Sequence, residues 1–419
     1  MSNNPVQLKN KRWIYLLSFC LINFISGALY IWSVFAAPFA SYFNQLNGTE
    51  LTSSDLSSVF GLAAGLTPFL MLAGGYINDR MGPKLVVALG GLAIGVGYLI
   101  CGYADSPSLL YIGYGFFVGV GTGMVNGCTI NSAVKFFPDR RGFAGGLVTA
   151  SLGIGAAALP FLVNALVVSI GISDACIIFG LGSAILICLL TLFTAKCPDD
   201  FANEFCDSPK AASVSGIETN WIGMIKSTLF IPLFVLFVTG STMGLMLISS
   251  ISGIANHQIG LGMTASAMAV SVISIANTLG RFISGTASDK FGRVPTLMFM
   301  LLLAIAGFVL LLWASPTSAW LFFTGTIFVG ICYGSFIGTY PSLVADEYGN
   351  KNNSVNFSVM MLGYSIGGFG GPQLLKWAQQ AGSYDRAYLI CITAAALGII
   401  CGVIYLLIKK HQLSAASFS

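Results

Sequence analysis

Long apolar runs separated by short polar clusters recur along this chain from end to end. A helix needs about 20 mostly apolar residues to cross ~30 Å of hydrocarbon. By that measure twelve spans are predicted, near 13–42, 53–80, 83–104, 107–136, 141–168, 172–195, 228–256, 263–288, 294–314, 317–345, 353–380 and 385–408. The longest polar stretch, 196–227, carries Asp199, Asp200, Glu204, Asp207 and Glu218 among serines, alanines and a proline, and reads as a solvated linker. The pattern therefore predicts an N-terminal six-helix bundle (1–195), a linker (196–227) and a C-terminal six-helix bundle (228–419). The expected fold is an all-α membrane protein with twelve transmembrane helices.

Charge placement orients these spans. Of the 19 lysines and arginines, sixteen fall on the face that holds both termini. Lys376 and Arg386 lie on the other face and Arg281 lies within a span. Cytoplasmic loops carry the excess of basic residues, so both termini are expected in the cytoplasm, in a multi-pass protein of the inner (plasma) membrane.

Composition agrees: 56% of the 419 residues are hydrophobic and 8% charged, against roughly 25% charged in soluble domains. Basic residues cluster no further than pairs such as Arg140-Arg141 and Lys409-Lys410, so no nucleic-acid partner is expected. The ten cysteines form no CxxC pair, and most sit in apolar runs, where cysteine acts as a small hydrophobe. No metal cluster or nucleophile–histidine pairing is visible, so neither an enzyme nor a cofactor is expected. The expected surroundings are the lipid bilayer, and the expected state is a monomer.

The two halves look like copies. Gly75-Tyr76-Ile77-Asn78-Asp79-Arg80-Met81-Gly82 follows span 2, and Gly285-Thr286-Ala287-Ser288-Asp289-Lys290-Phe291-Gly292-Arg293 follows span 8, offset by 210. Gly119, Gly123 and Gly127 in span 4 match Gly330, Gly334 and Gly338 in span 10, offset by 211. Ser26-Gly27 in span 1 matches Met243-Gly244 in span 7, offset by 217. Glycines four apart clear one helix face for close approach of another helix. In the loop motif, Asp79 and Asp289 can accept from backbone or arginine donors and latch one conformation. The predicted bundles are thus pseudo-symmetric.

Arg281 breaks that symmetry. It lies eight residues before Asp289, about 12 Å along a helix, and its first-half equivalent is Met71. A guanidinium at bilayer depth costs at least a few kcal/mol, and it cannot readily shed its proton. Its natural partner is an anion. Asn277, one turn earlier on the same face, can donate to a carboxylate or bond to a neighbouring helix.

Twelve spans in two halves, with that loop motif after spans 2 and 8, resemble the major facilitator superfamily across the whole chain. In such transporters the halves rock about a central site. Phe136-Phe137-Pro138-Asp139-Arg140-Arg141-Gly142 resembles the loop of the oxalate/formate antiporter family, and Ser26-Gly27-Ala28-Leu29-Tyr30-Ile31-Trp32-Ser33 resembles its first-helix signature. That family and the related monocarboxylate transporters place a substrate-binding arginine at the position of Arg281. The resemblance also implies site positions for Tyr30, Tyr333 and Asn126. Met361 and Tyr364, on the eleventh helix, are candidates for the far wall.

The departures from the family pattern are informative. Oxalate-exchanging members carry a lysine on the eleventh helix where Met361 stands here. One cation suits one carboxylate, whereas a dianion stays half uncompensated in a low-dielectric cavity. A monocarboxylate such as lactate, pyruvate or formate is therefore expected. The animal-type transporters pair the arginine with an aspartate one turn earlier, and Asn277 occupies that place. His257, at the outer end of span 7, is the remaining proton-coupling candidate. The expected function is secondary active transport of a small monocarboxylate with a proton. The alternatives are oxalate/formate-type anion exchange and a non-transporting anion sensor.

Overall fold

The computed structural model describes residues 5–48, 50–52, 55–198, 201, 218–380 and 384–417, and among these there is no strand. The first passage is built from α1 (Pro5–Ser26), a tight 3-10 turn (Gly27–Ile31) and α2 (Trp32–Asn47). It is followed by α3 (Ser57–Met81) and α4 (Pro83–Gly102). The fourth passage is α5 (Pro107–Leu110), a π-helical stretch (Tyr111–Val118) and α6 (Gly119–Phe136). Next come α7 (Arg141–Ile170), α8 (Ile172–Leu192) and the short α9 (Trp221–Lys226). The second half is α10 (Phe230–His257), α11 (Met263–Phe291), α12 (Arg293–Trp313), α13 (Ala319–Tyr348), α14 (Asn353–Gln380) and α15 (Asp385–Ser417). These make the twelve long passages that hydropathy predicts.

Eleven of the twelve are long and apolar enough to cross a membrane by their own composition. The exception is α14, whose first residues include Asn353, Ser354, Asn356 and Ser358, all buried. Its polarity is consumed inside the protein rather than turned to lipid. Most of the linker, including Asp199, Asp200, Glu204 and Asp207, lies outside the described residues. Its end forms α9, where the Asn220 side chain caps the helix by accepting from the Gly223 N–H at 2.8 Å.

The helix ends follow local chemistry. Gly82 and Gly292, the paired glycines of the repeated loop, have φ of 85° and 89°. That left-handed region is open to glycine and strained for other residues. Each glycine ends one helix and opens the next, with Pro83 at the first position of α4.

Two compact units are present. One comprises Met1–Asp139, Ser151–Gly216 and Asn350–Ser358; the other comprises Arg140–Ala150, Ile217–Gly349 and Val359–Ser419. The start of α7 thus packs with the second unit, and the start of α14 packs with the first. In the first unit the core is aromatic: Phe35, Tyr114 and Phe179 are in edge-on ring contacts around Tyr98, and Trp32 tilts against Tyr114.

Both glycine stripes do what their spacing implies. Gly119, Gly123 and Gly127 face Ala63, Thr67 and Met71 of α3, while Gly330, Gly334 and Gly338 face Ala276, Asn277 and Arg281 of α11. A methyl group added at Gly338 would overlap the backbone of Arg281 itself. Gly338→Ala is expected to destabilise the protein by about 1–3 kcal/mol through overpacking. A lowered thermal midpoint of the detergent-solubilised variant checks this, and an unchanged midpoint would contradict the close seam.

Candidate functional site

Arg281 sits on α11 and is buried, with 6% of its surface exposed. Its Nε donates to Asn277 Oδ1 at 3.3 Å, and its Nη1 donates to the Thr149 backbone carbonyl at 2.8 Å. No ion pair joins it to a carboxylate among the described residues. The i,i+4 spacing puts Asn277 beside the guanidinium. The bare faces of Gly334 and Gly338 bring α13 against this turn of α11. Next to Gly334, Tyr333 is buried and its hydroxyl donates to the Tyr364 hydroxyl of α14 at 3.1 Å. Gly244 of α10 lies under the Tyr333 ring and leaves it room. Met361 is half-buried and three residues before Tyr364, hence on the same side of α14.

In the first unit the 3-10 turn Gly27–Ile31 carries Tyr30, which is 38% exposed, with its ring 6.2 Å from Phe60. Just before the turn, Ser26 donates to Asn126 Oδ1 at 2.9 Å. The structure thus joins Arg281 with Asn277, Tyr333 with Tyr364, and Asn126 with the start of the signature turn. His257, the last residue of α10, is exposed and is not among the groups bonded to Arg281.

The repeated loops form two related constructions. Asp79 accepts from the Ser354 and Val355 backbone N–H groups at 3.3 and 3.1 Å, at the start of α14. Asp289 accepts from the Gly142 and Phe143 N–H groups at 2.9 Å each, at the start of α7. In both cases a carboxylate meets the unsatisfied donors and positive dipole end of a helix. Close packing supports each: Gly75 abuts the Ser354 carbonyl, and Gly285 abuts Gly142 and Gly146.

Their cations differ. Lys135 Nζ lies 2.7 Å from Asp79, whereas Arg293 lies 2.6 Å from Asp289 and also 2.7 Å from Asp346, which Arg141 reaches at 2.6 Å. Arg80 does not join the first construction through its guanidinium. It is exposed, with that group 4.0 Å from the Tyr76 ring centre, and its carbonyl accepts from Lys196 at 2.7 Å.

Sequence reasoning missed Thr149, Lys135, Arg141 and Asp346. Two of these had a signal: Lys135 and Asp346 stand at the same 211-residue offset as the glycine stripes, with opposite charge. Thr149 contributes a backbone carbonyl, which no residue-type pattern reveals. The loop Phe136–Gly142 now has a physical reading as well. Asp139 pairs with Arg12 at 2.7 Å, Phe137 lies under the Arg12 guanidinium at 4.7 Å, and Arg141 pairs with Asp346.

Replacing Asp289 by asparagine keeps the shape but removes the charge that meets two backbone donors and Arg293. For the transport that the family resemblance implies, a fall in rate of about tenfold is expected, with expression retained. An unchanged rate would remove Asp289 from the working parts.

The Major Facilitator Superfamily profile matches residues 19–372. An uncharacterised transporter of that type from Escherichia coli (strain K12), YhjX, is 27% identical over 87% of each chain. The oxalate:formate antiporter of Oxalobacter formigenes is 30% identical over 85% of this chain and 83% of its own. Among solved structures, the transporter FucP in its outward conformation aligns with a TM-score of 0.70 at 13% identity, covering 94% of this chain and 99% of that one. The chain belongs to the major facilitator superfamily, within its oxalate/formate branch.

Proposed function

We propose that this member of the superfamily carries a small monocarboxylate, of the lactate, pyruvate or formate type, across the inner membrane by alternating access. The observation that carries this reading is Arg281: a buried guanidinium bonded to an amide and a carbonyl, with no carboxylate partner among the described residues. Carboxylate oxygens are its strongest complement, through paired charge-assisted hydrogen bonds. Asn277 stands beside that carboxylate, and Tyr333 and Tyr364 supply an amphipathic wall. Tyr30 and Asn126, in the first unit, are the remaining candidates for substrate contact. The Asp79 and Asp289 constructions hold the starts of α14 and α7 in one of the alternating states.

A second reading concerns coupling. Neither group bonded to Arg281 can carry a proton, and His257 is exposed. That favours exchange of one anion for another over a protein-borne proton route, and the antiporter relative favours it too.

Counterflow in proteoliposomes with labelled lactate, pyruvate, formate and oxalate, with and without a pH gradient, tests both readings. Exchange predicts uptake that requires an internal anion and ignores the gradient. Symport predicts uptake into empty vesicles driven by external acid. Transport of none of the four by folded protein would overturn the proposal in favour of an anion sensor.

A further inference from the structure

The first passage is interrupted at Gly27–Ile31, and two buried hydroxyls from elsewhere in the unit meet the interruption. Tyr98 of α4 donates to the Ala28 carbonyl at 2.9 Å, and Tyr114 of the π-helical stretch donates to the Leu29 carbonyl at 2.7 Å. Both tyrosines are fully buried, and their rings meet edge-on at 5.7 Å. Tyr114 also lies 4.6 Å from the Trp32 ring, where α2 begins. The carbonyls so held belong to the two residues directly before Tyr30. A side chain bonded into a helix ladder is a recognised cause of helix kinks, and so is a glycine–serine pair such as Ser26-Gly27.

The repeat supplies an internal control. Gly97 and Gly113 pack on each other as Gly307 and Gly325 do, so Tyr98 and Tyr114 match Phe308, which has no hydroxyl, and Thr326, whose buried hydroxyl meets no hydrogen-bond partner. The matching passage, α10, runs as unbroken α-helix from Phe230 to His257, through the equivalent Gly244. The half whose two tyrosines bond to the passage has the broken helix, and the half without those bonds has the continuous one.

We infer that Tyr98 and Tyr114 are positioning residues: their hydroxyls hold Gly27–Ile31 in its 3-10 path so that Tyr30 is presented to the substrate. The inference rests on the reading that places Tyr30 in the substrate site. The two tyrosines touch no substrate; they fix the backbone from which Tyr30 projects. An α-helical path through these residues would rotate Tyr30 about the helix axis, because 3-10 and α geometry differ in residues per turn.

A double-mutant cycle combined with labelling tests this. Tyr98→Phe and Tyr114→Phe keep the rings and lose one hydrogen bond each, so each is expected to raise the half-saturation concentration for the best-transported of the four acids about fivefold. In a Tyr30→Ala background the same substitutions are expected to have less than about a twofold effect, because coupled residues are non-additive. In a Tyr30→Cys protein, removal of either hydroxyl is expected to change labelling by a water-soluble maleimide several-fold, scored against the parent with its native cysteines. Equal fold losses in both backgrounds with unchanged Cys labelling would overturn the inference. If Tyr30→Ala leaves half-saturation unchanged while labelling still responds to the hydroxyls, the tyrosines do position residue 30. In that case the placement of Tyr30 in the substrate site falls instead.

Discussion

Arg281→Ala is expected to reduce counterflow of every transported acid by at least about a hundredfold, while the protein still folds and purifies as a single species. A guanidinium paired with a carboxylate through charge-assisted bonds in a dry cavity is worth several kcal/mol, and about 1.4 kcal/mol is a factor of ten. The folding half of the expectation follows from the partners. Removing one member of a buried ion pair strands the other charge, but Arg281 has no acid to strand among the described residues. Its two acceptors are Asn277 Oδ1 and the Thr149 carbonyl, both neutral. Arg281→Lys keeps the charge and loses the planar fork, so an intermediate loss is expected. Retained transport by the alanine variant would sink the site assignment. Loss of monodisperse protein in both variants would show instead that the arginine serves the fold.

The spans were readable because hydrocarbon forces nearly every residue of a crossing helix to be apolar. The predicted span at 353–380 holds as α14 although its start is polar, because polar side chains there bond inside the first unit: Asn353 donates to Asn131 Oδ1 at 2.8 Å, and Asn78 donates to the Ser354 hydroxyl at 2.9 Å. Arg281 and Asn277 were readable because i,i+4 spacing on a helix is a local matter. Asp79 and Asp289 were readable because the loop occurs twice, yet the backbone donors they meet lie at the starts of α14 and α7, far along the chain. The break in the first passage was hidden for the same reason. Ser26-Gly27 permits a break without fixing its course, and the hydroxyls that meet it come from positions 98 and 114.

Met361→Lys is expected to raise the ratio of oxalate to formate transport by at least about tenfold. Met361 is half-buried on α14, on the same side as Tyr364, whose hydroxyl accepts from Tyr333. Tyr333 in turn neighbours Gly334, which packs on the Asn277 turn of α11. A lysine there introduces a second cation on the helix that borders the candidate wall. Two unit charges 4 Å apart at an effective dielectric constant near 20 attract by about 4 kcal/mol. Desolvating the ammonium and the second carboxylate removes much of that gain, and about 1.4 kcal/mol of net preference suffices for a tenfold change. On the proposed site, formate gains nothing comparable, since Arg281 would already meet its single charge. Met361→Gln separates charge from polarity, because it matches methionine in length, adds hydrogen-bonding groups and carries no cation. It should leave the ratio near that of the parent. Competition of unlabelled oxalate against labelled formate uptake, measured for parent, glutamine and lysine proteins, reads the ratio directly. Equal ratios in all three would refute the one-cation account of selectivity, and a rise in the glutamine protein matching that in the lysine protein would assign the effect to polarity alone.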